Sequence, residues 1–124
     1  MRKILALFSL ILILNCSNNN SQKDNRKFVF KANREAPIGW VYLDLYADSS
    51  FDLRFNRRGK PNSGKYQYIE DTIYLKYDLK QDVYRSKAII NKNNLCFIND
   101  SIRKINNVEC TELLEITLNN LIKQ

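Results

Sequence analysis

The sequence predicts a mainly β fold, a single small antiparallel meander that forms a barrel or half-barrel with a possible C-terminal helix. Apolar and polar residues alternate with a period of two in several short segments, as they do in half-buried strands. These segments recur roughly every 8 to 12 residues between polar turns, a spacing typical of antiparallel barrels and sandwiches. Residues 28–124 are enough for one domain with a modest core.

Residues 1–15 have the organisation of a signal peptide. Arg2 and Lys3 precede an apolar run from residue 4 to residue 14 that is interrupted only by Ser9. A helix of that length rises about 16 Å, whereas the hydrocarbon core of a bilayer is about 30 Å thick, so we do not expect a permanent span. We expect export and removal of this segment.

The residues after the apolar run, Ile13-Leu14-Asn15-Cys16, resemble the lipobox of bacterial lipoproteins. The resemblance implies that Cys16 is acylated, for example with palmitate, and holds the protein on a membrane of the cell envelope, which we expect to be the outer membrane. Asn15 stands where that family usually has a small residue. An ordinary thiol beside a signal peptide that is cut elsewhere is the alternative. We expect residues 16–27, which are polar after the cysteine, to be a flexible tether.

Eight segments of the predicted β domain, residues 28–124, carry a strand pattern, and the six between the first and the last form three predicted hairpins. In order they are FVFKAN, GWVYLDLYA, SFDLRFN, KYQYIE, TIYLKYD, SKAIIN, NLCFIN and SIRKIN. In the third segment, Phe51, Leu53 and Phe55 should face inward, while Asp52 and Arg54 should face outward.

The C-terminal segment TELLEITLNNLIKQ fits two structures. A helix would bury Leu114, Leu118, Leu121 and Ile122, and a strand would bury Leu114, Ile116 and Leu118. We favour the helix because the apolar positions continue past two consecutive asparagines.

The stretch GKPNSGK meets part of the phosphate-binding pattern G-x-x-x-x-G-K-[ST] through Gly59, Gly64 and Lys65, but Tyr66 stands where a hydroxyl for Mg²⁺ is needed. That loop must also lead from a strand into a helix, whereas this stretch lies between two strand patterns. We therefore interpret its glycines and Asn62 as turn residues.

The chain carries a net charge of +7, and removing residues 1–15, which contain two basic residues and no acid, leaves +5. Arg57, Arg58, Lys60 and Lys65 form a basic cluster without an acid among them. A phosphate or polyanion could bind there, and a solvated loop is the alternative. No helix or aromatic platform adjoins the cluster, so we do not expect a nucleic-acid partner.

Cys96 and Cys110 are the thiols that remain after lipidation of Cys16, and an exported domain allows them to form a disulfide. Two buried free thiols are the alternative. We expect no metal site and no cofactor, because the chain has no histidine and two distant cysteines do not make a zinc site.

Few features of this sequence indicate catalysis. The absence of histidine excludes Ser-His and Cys-His nucleophile systems and leaves mainly carboxylates, lysine or tyrosine as acid or base. Asp44, Asp52, Glu70 and Asp71 could pair, but acids in turns and at strand ends are usually solvated. We expect no enzymatic activity.

Aromatic side chains are the best candidates for ligand contact. On strands they could line a cavity or offer a stacking platform for sugars or lipids, and ordinary strand packing is the alternative. The candidates are Trp40, Tyr42, Tyr66, Tyr68 and Tyr74.

Residues 64–68, GKYQY, and residues 71–77, DTIYLKY, together with the order of hairpins around them, resemble the lipocalin-like domains of small bacterial lipoproteins of undefined function. The resemblance covers about half of the chain that follows the signal peptide. It implies a small meandering barrel that can hold or touch a ligand, and it implies no particular reaction.

Two functions from different classes remain open. The first is a binding or interaction module of the cell envelope whose partner is an unknown small ligand or envelope protein. The second is an inhibitor of a lysozyme-like cell-wall hydrolase, since Ser63-Gly64 followed by Tyr66 and Tyr68 resembles the S-G-x-x-Y motif of lysozyme-inhibitor lipoproteins. The tyrosines are one position short and one position long, and that family's Thr-Lys-Gly motif is absent. A basic inhibitor would also repel basic lysozyme.

Overall fold

The computed structural model describes residues 24–35, 39–79, 85–98 and 110–122. These residues form strands and their connections. The strands are β1 (Phe28–Arg34), β2 (Val41–Tyr46), β3 (Ser50–Arg54), β4 (Asn62–Ile69), β5 (Thr72–Tyr77), β6 (Lys87–Asn91), β7 (Asn94–Ile98) and β8 (Cys110–Asn119).

Each strand pairs in antiparallel fashion with the next strand, and β8 also pairs with β1, so that the sheet closes into an eight-stranded barrel. Closure gives every strand a hydrogen-bonded neighbour on both sides and removes the exposed edges that invite aggregation. The predicted antiparallel barrel is therefore confirmed.

The two ends of the barrel differ in the length of their connections. At the turn end, residues 47–49, 70–71 and 92–93 connect consecutive strands, and each turn contains one non-glycine residue with a positive φ, namely Ser49, Glu70 and Lys92. At the loop end, longer stretches separate β1 from β2, β3 from β4, β5 from β6 and β7 from β8. The described residues of these stretches are 35, 39–40, 55–61, 78–79 and 85–86. Longer connections carry binding residues more often than tight turns do.

The interior of the barrel is apolar. Alternate residues of each strand point inward, and the largest fully buried side chains include Phe30, Phe51 and Phe97. An eight-stranded barrel has an interior just wide enough for its side chains to fill or for one small ligand. Among the described residues, the buried members of the core cluster are Phe30, Ala32, Val41, Leu43, Leu45, Phe51, Leu53, Tyr68, Ile73, Leu75, Ala88, Leu95, Phe97 and Leu114.

The favoured C-terminal helix is wrong, and the strand alternative is correct. β8 buries Leu114 completely and Ile116 and Leu118 in part. Its backbone bonds to both β7 and β1, and these two ladders, which close the barrel, outweigh the helical spacing of the apolar residues.

The inward and outward prediction for β3 holds within the strand and fails beyond it. Phe51 and Leu53 are fully buried, whereas Phe55 is 42% exposed because β3 ends at Arg54. Asp52 and Arg54 lie on the outer face, as expected. However, Asp52 is buried there by other polar side chains, which the alternation does not predict.

The last four residues of GKPNSGK, from Asn62 to Lys65, belong to β4, and they include two of the predicted turn residues. Asn62 begins β4, and Gly64 faces inward at a position where a Cβ would collide with the carbonyl oxygen of Lys76. Gly64 is thus required by close approach of two backbones rather than by a turn. The predicted strand SIRKIN, the signal peptide and Cys16 lie outside the described residues.

The predicted disulfide is confirmed. Cys96 of β7 and Cys110 of β8 are bonded, with Cα atoms 5.4 Å apart. The bond closes the chain across the 99–109 connection at the loop end, which stabilises the fold by about 3 kcal/mol in the chain-entropy model. In the described part of the chain, no helix is long and apolar enough to cross a membrane.

Candidate functional site

The structure does not bring the five candidate aromatic residues together. Trp40 and Tyr42 meet at the loop end, with ring centroids 6.4 Å apart. Tyr68 belongs to the core, and half-buried Tyr66 packs against the core and donates a hydrogen bond of 2.9 Å to a backbone carbonyl of β2. Tyr74 lies exposed on the outer face of β5. Ordinary packing therefore accounts for Tyr66 and Tyr68.

Trp40 and Tyr42 form one cluster with two charged residues of the loop end. The Arg57 guanidinium lies 5.2 Å from the Trp40 ring centroid and donates hydrogen bonds to Tyr42 Oη and to Glu35 Oε1, at 3.1 and 2.8 Å. Tyr42 Oη also donates to Glu35. The hydrogen bond from Arg57, which has the larger effect, and the one from Tyr42 lower the pKa of Glu35 below its usual value. The cluster joins the first two long loops and leaves Trp40 39% exposed.

A second aromatic and arginine pair lies at the same end. The Arg85 guanidinium is 4.8 Å from the ring centroid of exposed Phe55 and donates to both carboxylate oxygens of Glu112, at 3.2 and 3.1 Å. Arg34 donates a longer bond of 3.5 Å to the same carboxylate. Glu112 thus holds two arginines at the loop end, a role for which its strand pattern gives no signal.

The outer face of β1 to β3 carries two buried carboxylates in a network of cations. Asp44 and Asp52 are directly opposite each other in the β2–β3 pairing, an arrangement that is destabilising unless the charges are compensated. Asp44 accepts a hydrogen bond of 2.7 Å from Arg54 and lies 3.8 Å from Lys31 Nζ. Its side chain is 4% exposed.

Asp52 accepts three hydrogen bonds. The donors are Arg26 Nη2 at 2.7 Å, Tyr46 Oη at 2.9 Å and Ser63 Oγ at 2.6 Å. Burial and the bond to Asp52 together raise the pKa of Tyr46, so its hydroxyl remains a donor. The Arg26 guanidinium also stacks on the Tyr46 ring at 3.8 Å from its centroid.

The segment before β1 is fastened to this face. Arg26 donates to Ser50 Oγ at 3.1 Å as well as to Asp52. Asp24 accepts bonds from the guanidinium and backbone N–H of Arg26, which lower the pKa of Asp24 to about 2. Asp48 accepts from the hydroxyl and backbone N–H of Ser50, and its pKa is lowered as a result. The chain therefore enters the barrel at the turn end, beside the start of β3.

The outer face of β4 to β6 is different. These strands contain Lys65, Lys76 and Lys87 and no acidic residue. A pocket of about 400 Å³ lies on this face, lined by side chains that include the three lysines, Gln67 and Tyr74. We call it the β4–β6 groove.

The described residues contain no group of three or more potential metal ligands. Asp44 and Asp52 are both engaged by cations of the same face. Comparisons with protein-family profiles, with curated proteins and with solved structures found no match.

Proposed function

We propose that the protein is a lipid-anchored lipoprotein of the cell envelope whose lipocalin-like barrel acts as a binding or interaction module without enzymatic activity. The observation that carries the proposal is the contrast between an interior lined with buried apolar side chains and a loop end with exposed aromatic residues. A ligand or partner would therefore bind to the surface rather than inside the barrel.

The loop end has the composition of a protein-binding surface. Trp40 and Phe55 are exposed, and each lies against an arginine. Tryptophan and arginine are the residue types most enriched among those that dominate binding energy. Arg57 and Arg85 are also held by carboxylates, so little side-chain freedom is lost on binding.

The position of the tether also favours the loop end as the binding surface. Arg26 fixes the chain at the turn end, and the segment from Cys16 to Asp24 spans at most about 28 Å when fully extended. A lipid on Cys16 would therefore keep the turn end close to the bilayer and direct the loop end away from it.

The anchor is tested by producing the full chain in a bacterial host with an alkyne-labelled fatty acid. We expect wild type to carry the label and to enter the detergent phase, and Cys16→Ala to lose the label and to be either soluble or retained as an uncleaved precursor. A Cys96→Ala/Cys110→Ala variant controls for acylation of other cysteines and should keep the label. Equal partitioning of wild type and Cys16→Ala with no label on either would exclude the anchor.

The binding surface is tested by placing a photo-crosslinking amino acid at Trp40 and, as a matched control, at Ile69, which is exposed at the turn end. We expect a discrete adduct from Trp40 in intact cells and none from Ile69. Adducts of the same mass from both positions would contradict a partner at the loop end.

The lysozyme-inhibitor alternative stays a prediction without structural support. Ser63 donates its hydroxyl to Asp52, and Gly64 faces the interior. Ser63 is half-buried in the network of the outer face, and Gly64 offers no side chain to a partner.

A further inference from the structure

We propose that the β4–β6 groove binds the phosphate group of a small phosphorylated sugar. The site is separate from the loop end and does not depend on the partner proposed there. It shares Lys65 with the basic cluster seen in the sequence, but Arg57 of that cluster is engaged at the loop end, whereas Lys65 lies on β4.

Two lysines face each other in the groove. Lys65 and Lys76 are directly opposite in the β4–β5 pairing, so their Cβ atoms are about 5 Å apart and their charges repel. Among the described residues, neither forms an ion pair. The bonds from Ser50 are the main cause of the lowered pKa of Asp48, and the charge of Lys65 adds to that shift without an ion pair. A phosphate of about two negative charges with three free oxygens can bridge two such ammonium groups.

The groove has room for a small molecule. β6 pairs with β5 from Thr72 to Tyr74, and Leu75 N–H donates a further backbone bond to the Ser86 carbonyl, so Lys76 follows the last of these contacts. The pocket beside it has a volume of about 400 Å³, within the range of small-molecule sites. A flat bilayer would not fill such a groove.

Tyr74 supplies a second recognition element. The residue is 41% exposed, and Lys87, its cross-strand partner, places Nζ 5.7 Å from the ring centroid. An exposed aromatic face beside cations suits a ring that carries an anionic group. A hexose phosphate combines the two features at a size that the groove accommodates.

The test uses the full chain in non-ionic detergent and measures binding of glucose 6-phosphate, inorganic phosphate and glucose by calorimetry. We expect the sugar phosphate to bind more tightly than phosphate and glucose not to bind. Lys76→Gln should weaken binding about tenfold or more, as expected for loss of one charge-assisted contact. Lys92→Gln, which removes the same charge from an exposed turn, should change the affinity for the sugar phosphate less than twofold.

A Tyr74→Thr variant separates the two elements. It should bind inorganic phosphate as wild type does and lose its preference for the sugar phosphate. Equal effects of Lys76→Gln and Lys92→Gln would overturn the site. Unchanged preference in Tyr74→Thr would overturn the role of the ring, and binding to phosphatidylglycerol vesicles without binding to the sugar phosphate would overturn the ligand. None of these outcomes depends on Cys16 or on crosslinking at Trp40.

Discussion

The outer faces of β1 to β3 and of β4 to β6 use charge in opposite ways. On the first face, two buried carboxylates are surrounded by Lys31, Arg54 and Arg26. On the second face, Lys65 and Lys76 repel each other without an acid on their strands. The first arrangement stabilises the fold and fastens the tether, whereas the second opposes folding. A feature that opposes folding is expected where binding requires it.

The largest effect should come from Asp52→Ala on the first face. The change leaves the buried Tyr46 hydroxyl without its acceptor and removes one of the partners of Arg26 and Ser63. We expect a loss of about 3 to 4 kcal/mol in the free energy of unfolding, measured by urea denaturation.

Asp78→Ala is the matched control, because Asp78 is exposed beyond the end of β5, and it should cost less than about 0.5 kcal/mol. If Asp52→Ala also costs less than about 1 kcal/mol, the first face does not stabilise the fold in the way its contacts indicate.

Arg54→Ala should have the next largest effect. Arg54 gives Asp44 its shortest contact, and the remaining cation, Lys31, lies 3.8 Å away. We expect a cost of about 2 to 3 kcal/mol, since a buried carboxylate would keep only one distant partner. An Arg54→Lys variant should recover part of the loss. A shift in the urea midpoint no larger than that of Arg58→Ala, an exposed arginine in the next loop, would contradict this.

The first face also shows what alternation along the sequence can and cannot predict. The period-two pattern places Phe51 and Leu53 inside and Asp52 outside, because it depends only on the pleat of a strand. It does not predict that Asp52 is buried, because that burial comes from Arg26, which lies far from it in sequence, and from Tyr46 across the hairpin. Contacts between distant segments are absent from any local pattern.

The candidate site was less predictable than the fold for the same reason. Trp40 and Tyr42 are close in sequence and do meet, but Arg57 joins them only because two loops share one end of the barrel. The groove lysines at positions 65, 76 and 87 lie on three strands, and only the strand pairing makes them neighbours. The helix was wrongly favoured for the C-terminal segment because the strand depends on ladders with β1 and β7, which its local pattern does not contain.

A smaller effect is expected on the second face, with the opposite sign. Lys65→Gln or Lys76→Gln should each raise stability by about 0.3 kcal/mol, because each removes the repulsion between facing ammonium groups. The double variant should gain little more than either single variant, which a double-mutant cycle in low salt would reveal. If the two gains in stability were additive, the two lysines would not interact. The second face would then not oppose folding through their repulsion.

The smallest expected effect is a difference between the two faces in how their contribution to stability changes with pH. Hydrogen bonds from Arg26 lower the pKa of Asp24 from 3.8 to about 2. A carboxylate whose pKa is lower in the folded state stabilises the fold above its unfolded pKa, and this contribution is lost as the pH falls through the folded value. The urea midpoint of Asp24→Asn should therefore lie slightly below that of wild type at pH 6 and approach it near pH 2. The small gain from Lys76→Gln should persist at both pH values, because lysine stays charged throughout. A difference between Asp24→Asn and wild type that is equally large at both pH values would show that Asp24 does not fasten the tether through its charge.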